Sequence, residues 1–178
     1  MNVKKVVFAV ILVMLAVGAA NAQYSQTGSV AISAIKGESM TVSGSALSQY
    51  NLSSLAAQTL TISSTWNLKP SRASVQICVY MGASGKMTGS AGNSGVIDDT
   101  MVQTKVGAGA WTNIDTANGC GMTGAATLVN TYTLTSANRV VTTANSDTVQ
   151  VQINGAAVPA NLEADTYNGT LTVIGYAQ

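Results

Sequence analysis

The sequence predicts an all-β fold, an antiparallel sandwich or barrel, and three observations predict it. Apolar and polar residues alternate with period two along most of the chain after residue 22, as half-buried strands require. Clusters of Gly, Asn and Ser break these runs at short intervals and supply turns. Beyond residue 22 no stretch carries a capped 3.6-residue periodicity; Asn51–Gln58 is expected to make at most one short helical turn. Many short strands joined by polar turns define a sandwich or a barrel.

The first segment, residues 1–22, is not part of that fold. Lys4 and Lys5 make a positive start, Val6 to Val17 form an unbroken apolar run, and Gly18-Ala19-Ala20-Asn21-Ala22 follows in the Ala-x-Ala pattern. This is the order of regions in a secretory signal, with cleavage expected after Ala22. The apolar run is shorter than the ~17–25 residues of a spanning helix. The expectation is therefore a single domain over residues 23–178, exported to the periplasm, the cell surface or the medium, with no membrane insertion of the mature chain.

Along that domain the clearest strand is Thr59–Trp66, with Leu60, Ile62 and Trp66 on one face and threonines on the other. Ala73–Tyr80 follows a turn at Lys69-Pro70-Ser71, with Val75, Ile77 and Val79 inward and Gln76, Cys78 and Tyr80 outward. Thr148–Ile153 places Val149, Val151 and Ile153 inward. Less marked strands are expected at Val30–Ile35, Ser39–Val42, Met101–Val106, Thr127–Leu134 and Arg139–Thr143. The last strand is Tyr167–Tyr176, with Leu171 and Val173 buried and Thr170 and Thr172 on the opposite face. Gly82–Gly95 is expected to be an irregular surface loop.

Composition narrows function. The chain has no His and is only 8% charged. Ser-His-Asp and Cys-His catalysis are thereby removed, along with the commonest metal ligand. With Lys4 and Lys5 in the signal, the domain is nearly neutral, so no basic stripe for nucleic acid exists. Two cysteines, Cys78 and Cys120, follow a secretory signal, and one disulfide between them is expected. Because Cys78 faces away from Val75, Ile77 and Val79, the bridge should lie outside the main core.

Other motifs carry little chemistry. Gly119–Gly124 matches G-x-G-x-x-G, but a strand-like run follows where a dinucleotide site needs a helix. Ser33-Ala34-Ile35-Lys36 matches S-x-x-K, which works only on a helical turn and needs companion motifs that are absent. Asp98-Asp99 is more simply a solvated pair than a Ca²⁺ site. Asn51 and Asn168 begin glycosylation sequons. Trp66 belongs to the core face of its strand. Trp111, after Gly107-Ala108-Gly109-Ala110, is the candidate ligand contact, as a platform for a sugar ring. No enzyme activity and no cofactor are expected.

The ending Ala164-Asp165-Thr166-Tyr167-Asn168-Gly169-Thr170-Leu171-Thr172-Val173 resembles the final strand of bacterial pilin-like and spore-coat-U-like secreted domains. Those end in Ala-Gly-x-Tyr-x-Gly-Thr-Leu-x-Val-x-x-x-Tyr; here Asp165 replaces the Gly and Tyr176 falls one residue early. The order of Val30–Ile35, Glu38-Ser39-Met40-Thr41-Val42, Thr65-Trp66-Asn67-Leu68 and the turn Gly107–Trp111 is similar to a group of exported bacterial proteins. The resemblance implies an immunoglobulin-like antiparallel sandwich and a structural subunit of a surface fibre, pilus or coat. Its partners would be copies of itself or related subunits, with a periplasmic chaperone. Val30, Ile32 and Ala34 are then a candidate donor strand for a neighbour's sheet, or else the first strand of their own domain. A monomeric exported module binding glycans or another surface ligand is the alternative.

Overall fold

The computed structural model describes residues 36–48, 56–81, 85–91, 95–116, 119–121 and 124–178. The account concerns the compact unit Gly37–Gln178. The expected strand Val30–Ile35, with Val30, Ile32 and Ala34, and most of Asn51–Gln58 lie outside the described residues. Among the described residues every regular element is a strand, so the all-β expectation holds.

The first two strands, β1 (Ser39–Gly44) and β2 (Gln58–Asn67), join β9 (Val140–Ile153), β6 (Val102–Lys105) and β7 (Thr112–Asn113) in an antiparallel sheet ordered β1-β2-β9-β6-β7. A second sheet has β3 (Ser74–Met81) at its centre, between β8 (Thr127–Thr133) and β11 (Leu171–Ala177). A third, small sheet orders β10 (Tyr167–Asn168), β4 (Lys86–Gly89) and β5 (Val96–Asp98). The two larger sheets face each other in a sandwich, and the third contributes Tyr167 and Ile97 to the same core.

Period-two alternation built that core. Leu60, Ile62 and Trp66 of β2, Val75, Ile77 and Val79 of β3, and Val149, Val151 and Ile153 of β9 are all at most 4% exposed. Their burial drives the association of the sheets at roughly 25 cal/mol per Å² of apolar surface. A polar link between the sheets lies at the Thr104 and Thr127 hydroxyls, both buried, which meet at 2.8 Å.

Three expectations need correction. Gly82–Gly95 is not wholly irregular, because Lys86–Gly89 pairs with both β5 and β10. Arg139–Thr143 and Thr148–Ile153 are one continuous strand, β9, whose register against β2 shifts between Ser64 and Trp66. Tyr167–Tyr176 is two strands in different sheets, since Tyr167–Asn168 bonds to β4 and Leu171–Ala177 to β3. Thr170 is exposed but Thr172 is half-buried, and Leu171 and Val173, which pack against the core as predicted, are themselves only half-buried. They sit on an edge strand, so no neighbouring strand covers their outer flank.

Gly175 shows how closely the sheets approach there. A Cβ at this position would overlap Met40 Sδ and come within 2.8 Å of Val42 Cγ2 on β1. Gly175→Val is therefore expected to wedge the sheets apart and lower stability by about 1–3 kcal/mol. Urea unfolding should show this loss. Gly37→Ala, where a Cβ meets nothing within 4 Å, should stay within about 0.5 kcal/mol of the parent.

Candidate functional site

β1 and β11 are the edge strands of the two facing sheets, and they lie on the same side of the sandwich, since Gly44 approaches Val173 and Met40 approaches Gly175. Their inward side chains meet there in a closed seam, with Met40 and Val42 lying against Gly175. The backbone on its β11 side can be placed from the ladder. Gln178 N donates to Ser74 O at 3.0 Å and Ser74 N to Gln178 O at 3.4 Å. Alternation along an antiparallel pair then turns the N–H and C=O of Leu171, Val173, Gly175 and Ala177 to the outer edge. On β1, Ser45 N donates to Thr61 O at 2.8 Å, so Met40, Val42 and Gly44 present their backbone outward by the same rule. Among the described residues no strand pairs with either edge.

The inward side chains of this seam are apolar and half-buried: Met40, Val42 and Leu47 from the β1 side, Leu171, Val173 and Ala177 from β11. At one end, Leu47 and Leu171 lead into a cavity of about 600 Å³ with Met81, Met87, Ile97 and Ile153 in its wall. The segment before β10 bounds this cavity with Asp165, which accepts from Ser90 Oγ and Ala91 N, each at 2.9 Å. The Ala91 N–H, ahead of the Thr166 N–H and the Ser90 hydroxyl, holds its carboxyl below the ordinary range.

The other end of the seam is pinned. Glu38, just before β1, accepts from Lys69 N at 2.9 Å and from Arg72 Nε and Nη2 at 3.3 and 3.2 Å. Arg72 Nη1 reaches Ala177 O at 3.4 Å. Arg72 thus links the start of β1 to the end of β11. Its guanidinium, and then the Lys69 N–H, hold the Glu38 carboxyl below its usual range.

The predicted disulfide is present: Cys78 and Cys120 are bonded, with Cα atoms 6.2 Å apart. As expected from the facing of Cys78, the bridge lies outside the main hydrophobic cluster. It holds residues 119–121 on the outer face of the β11-β3-β8 sheet, where Gly121 N donates to Gln76 Oε1 at 2.7 Å. A Cβ on Gly121 would overlap the Gln178 amide and lie 2.9 Å from Gln76 Oε1. Of the G-x-G-x-x-G match, residues 119–121 lie against a sheet, and the element that follows is a strand, β8.

Trp111 lies just before β7, half-buried, with Lys105 Nζ 5.2 Å from its ring centroid. Trp66 is in the core. Asp98 caps its own turn, accepting from Thr100 N at 3.1 Å. Among the described residues no group of three or more acidic or Cys side chains could hold a metal. Asn168 is exposed on β10. No described helix is long and apolar enough to cross a membrane.

One buried polar site escaped the sequence reading. Asp147, 8% exposed, points from β9 into the sandwich. It accepts from Asn130 Nδ2 at 2.7 Å and from Tyr132 Oη at 2.8 and 3.0 Å. Burial, and then the Asp147 carboxylate, push the Tyr132 phenol up to about 12. The signal was available: Asp147 continues the inward series Val149, Val151, Ile153 by one step of two. The arrangement is a satisfied structural anion, since its hydroxyl and amide donors offset part of the desolvation of the charge.

The fold and site define an all-β, disulfide-bonded sandwich domain whose two larger sheets bring an edge strand each, β1 and β11, to the same side. No protein-family model matches the chain, nor does any curated protein or solved structure.

Proposed function

We propose that this chain is an exported structural subunit of a surface fibre, pilus or coat, joined to its neighbours by β-strand addition. The observation that carries the reading is the pair of neighbouring edge strands β1 and β11. Among the described residues no strand pairs with the outward backbone groups of either, and their apolar side chains are half-buried where those of the central strands are buried. An added strand would meet both needs, backbone pairing along β11 and apolar contacts with Val42, Leu171 and Val173. Charged residues that block edge pairing are missing from β1 and β11. The donor would be Gly28–Ala34 of another copy, with Val30, Ile32 and Ala34 packing along the β1–β11 seam. Before assembly a periplasmic chaperone would cover the same edge. The immunoglobulin-like assignment rests on the sequence resemblance, which points the same way.

The test compares the mature chain with a form lacking Gln23–Ala34, by size-exclusion chromatography and negative-stain microscopy. The intact protein is expected to form linear assemblies and the truncated one to remain a folded monomer with an unchanged melting temperature. A synthetic peptide spanning Gly28–Ala34 should then bind the truncated form. An intact protein that stays monomeric at every concentration would overturn the proposal. So would a truncated form that melts far below the intact monomer, because the segment would then belong to its own domain.

A further inference from the structure

The outward face of the five-stranded sheet carries a second feature, away from the β1–β11 seam. On β9 and β6 the inward residues are Val151, Ile153, Val102 and Thr104, so Gln150, Gln152, Gln103 and Lys105 point out. Register places Gln152 opposite Gln103, and Gln103 opposite Asn113 on β7. Their carboxamides form a chain across the three strands: Gln152 Nε2 donates to Gln103 Oε1 and Gln103 Nε2 to Asn113 Oδ1, both at 2.9 Å. In the next row Gln150 lies opposite Lys105, and the Lys105 ammonium reaches the ring of Trp111.

This patch holds four carboxamides, one ammonium and one indole, and no carboxylate. Each carboxamide offers two N–H donors and two acceptor lone pairs. The row's two hydrogen bonds use only part of that capacity, and its residues are half-buried on the outward face. Hydrogen bonding along the row also fixes each amide's orientation, so less side-chain freedom is lost when a ligand binds. Strands are ~4.8 Å apart, which sets the amides at a repeat close to one sugar ring in an extended chain. Trp111 adds a flat apolar surface beside them.

The chemistry selects among partners. A nucleic acid needs several phosphates neutralised, and Lys105 is the only cation in the patch. A protein partner needs a cluster of buried aromatic or aliphatic anchors, and Trp111 stands alone among amides. An uncharged polyhydroxyl chain matches both the neutrality and the dense donors and acceptors. We propose that this face binds a neutral glycan laid across β9, β6 and β7, its hydroxyls on the Gln152–Gln103–Asn113 row and one ring stacked on Trp111. The proposal is independent of strand addition, which uses the opposite pair of elements.

Isothermal titration of the purified protein against soluble β-glucan, xylan, mannan and dextran tests it, with a polyuronate as the acidic comparator. At least one neutral polymer is expected to bind. Trp111→Ala and Gln103→Glu should each weaken that binding by roughly tenfold or more, about 1.4 kcal/mol, with the unfolding midpoint unchanged. Should Trp111→Ala unfold the domain, Gln103→Glu still decides, since it keeps the side chain's shape and removes its donors. Failure of all four neutral polymers at millimolar sugar would overturn the proposal. Binding insensitive to Gln103→Glu would overturn it too, as would binding of the polyuronate alone that Lys105→Ala abolishes.

Discussion

Trp66→Ala is expected to destabilise the domain by about 3–5 kcal/mol, the range for deleting a buried large aromatic side chain. Trp66 is 3% exposed and packs at a tilt against Tyr132, with ring centroids 5.1 Å apart. Its indole Nε1 donates to Asn138 O at 2.8 Å, tying β2 to the turn between β8 and β9. That turn is itself held by Asn138, whose side chain accepts from Thr135 N and donates to Thr133 O. Three contributions are therefore lost together: apolar burial, the ring contact and an inter-sheet hydrogen bond. Trp66→Phe separates them. It keeps most of the burial and loses the donor, so it should cost about 1 kcal/mol. Thermal unfolding would register the alanine variant at roughly 2–4 °C per kcal/mol for a domain of this size. A midpoint within 2 °C of the parent would contradict the placement of Trp66 in the core.

The same residue shows what the chain discloses about its fold. Leu60, Ile62 and Trp66 could be assigned to one face because β2 is a central strand with a wet face and a buried face. Val75, Ile77, Val79 and Val149, Val151, Ile153 were legible for the same reason. Alternation fixes which way a side chain points, but it does not say what covers that side chain. Leu171 and Val173 point inward as expected, yet remain half-buried because β11 is an edge. Pairing choice is likewise hidden. Nothing local in Tyr167–Tyr176 says that its first two residues bond to Thr88 and Gly89 while the rest bond to β3. Lys86–Gly89 was unreadable as a strand because it has one apolar residue and lies among glycines.

The candidate sites were less legible than the core. The β1–β11 seam joins two edge strands separated by most of the domain, so no sequence window contains it. The amide row joins Gln103, Asn113 and Gln152 only through the registers of β6 with β7 and β9. In the sequence Trp111 is a lone aromatic at a turn, with no sign of the row beside it. Asp147 falls in the gap between two expected strands, Arg139–Thr143 and Thr148–Ile153, and that gap is itself strand. In contrast, the facing of Cys78 sufficed to put the disulfide on the outer surface of its sheet.

Removing that disulfide, by Cys78→Ala with Cys120→Ala, is expected to cost about 4 kcal/mol. The bridge closes a loop with a sequence separation of 42, and the chain-entropy relation gives that value for the loss of its constraint on the unfolded chain. The native core should be little changed, since Val75, Ile77 and Val79 point away from the bridge and stay covered by the facing sheet. Damage to the folded state should be confined to residues 119–121, which would then be held on the sheet by Gln76 and the bridge of Gly119 to Thr127. Denaturant unfolding separates the two contributions. A freer unfolded chain exposes more surface, so the slope of stability against urea should rise as the midpoint falls. Native-state hydrogen exchange should quicken at residues 119–121 and little along β3. A double variant with the parent's midpoint would show that the loop is already confined in the unfolded chain. Exchange quickening throughout β2, β3 and β9 beyond the global loss would instead place the bridge's contribution in the folded sandwich, against the geometry that sets it on the outer face.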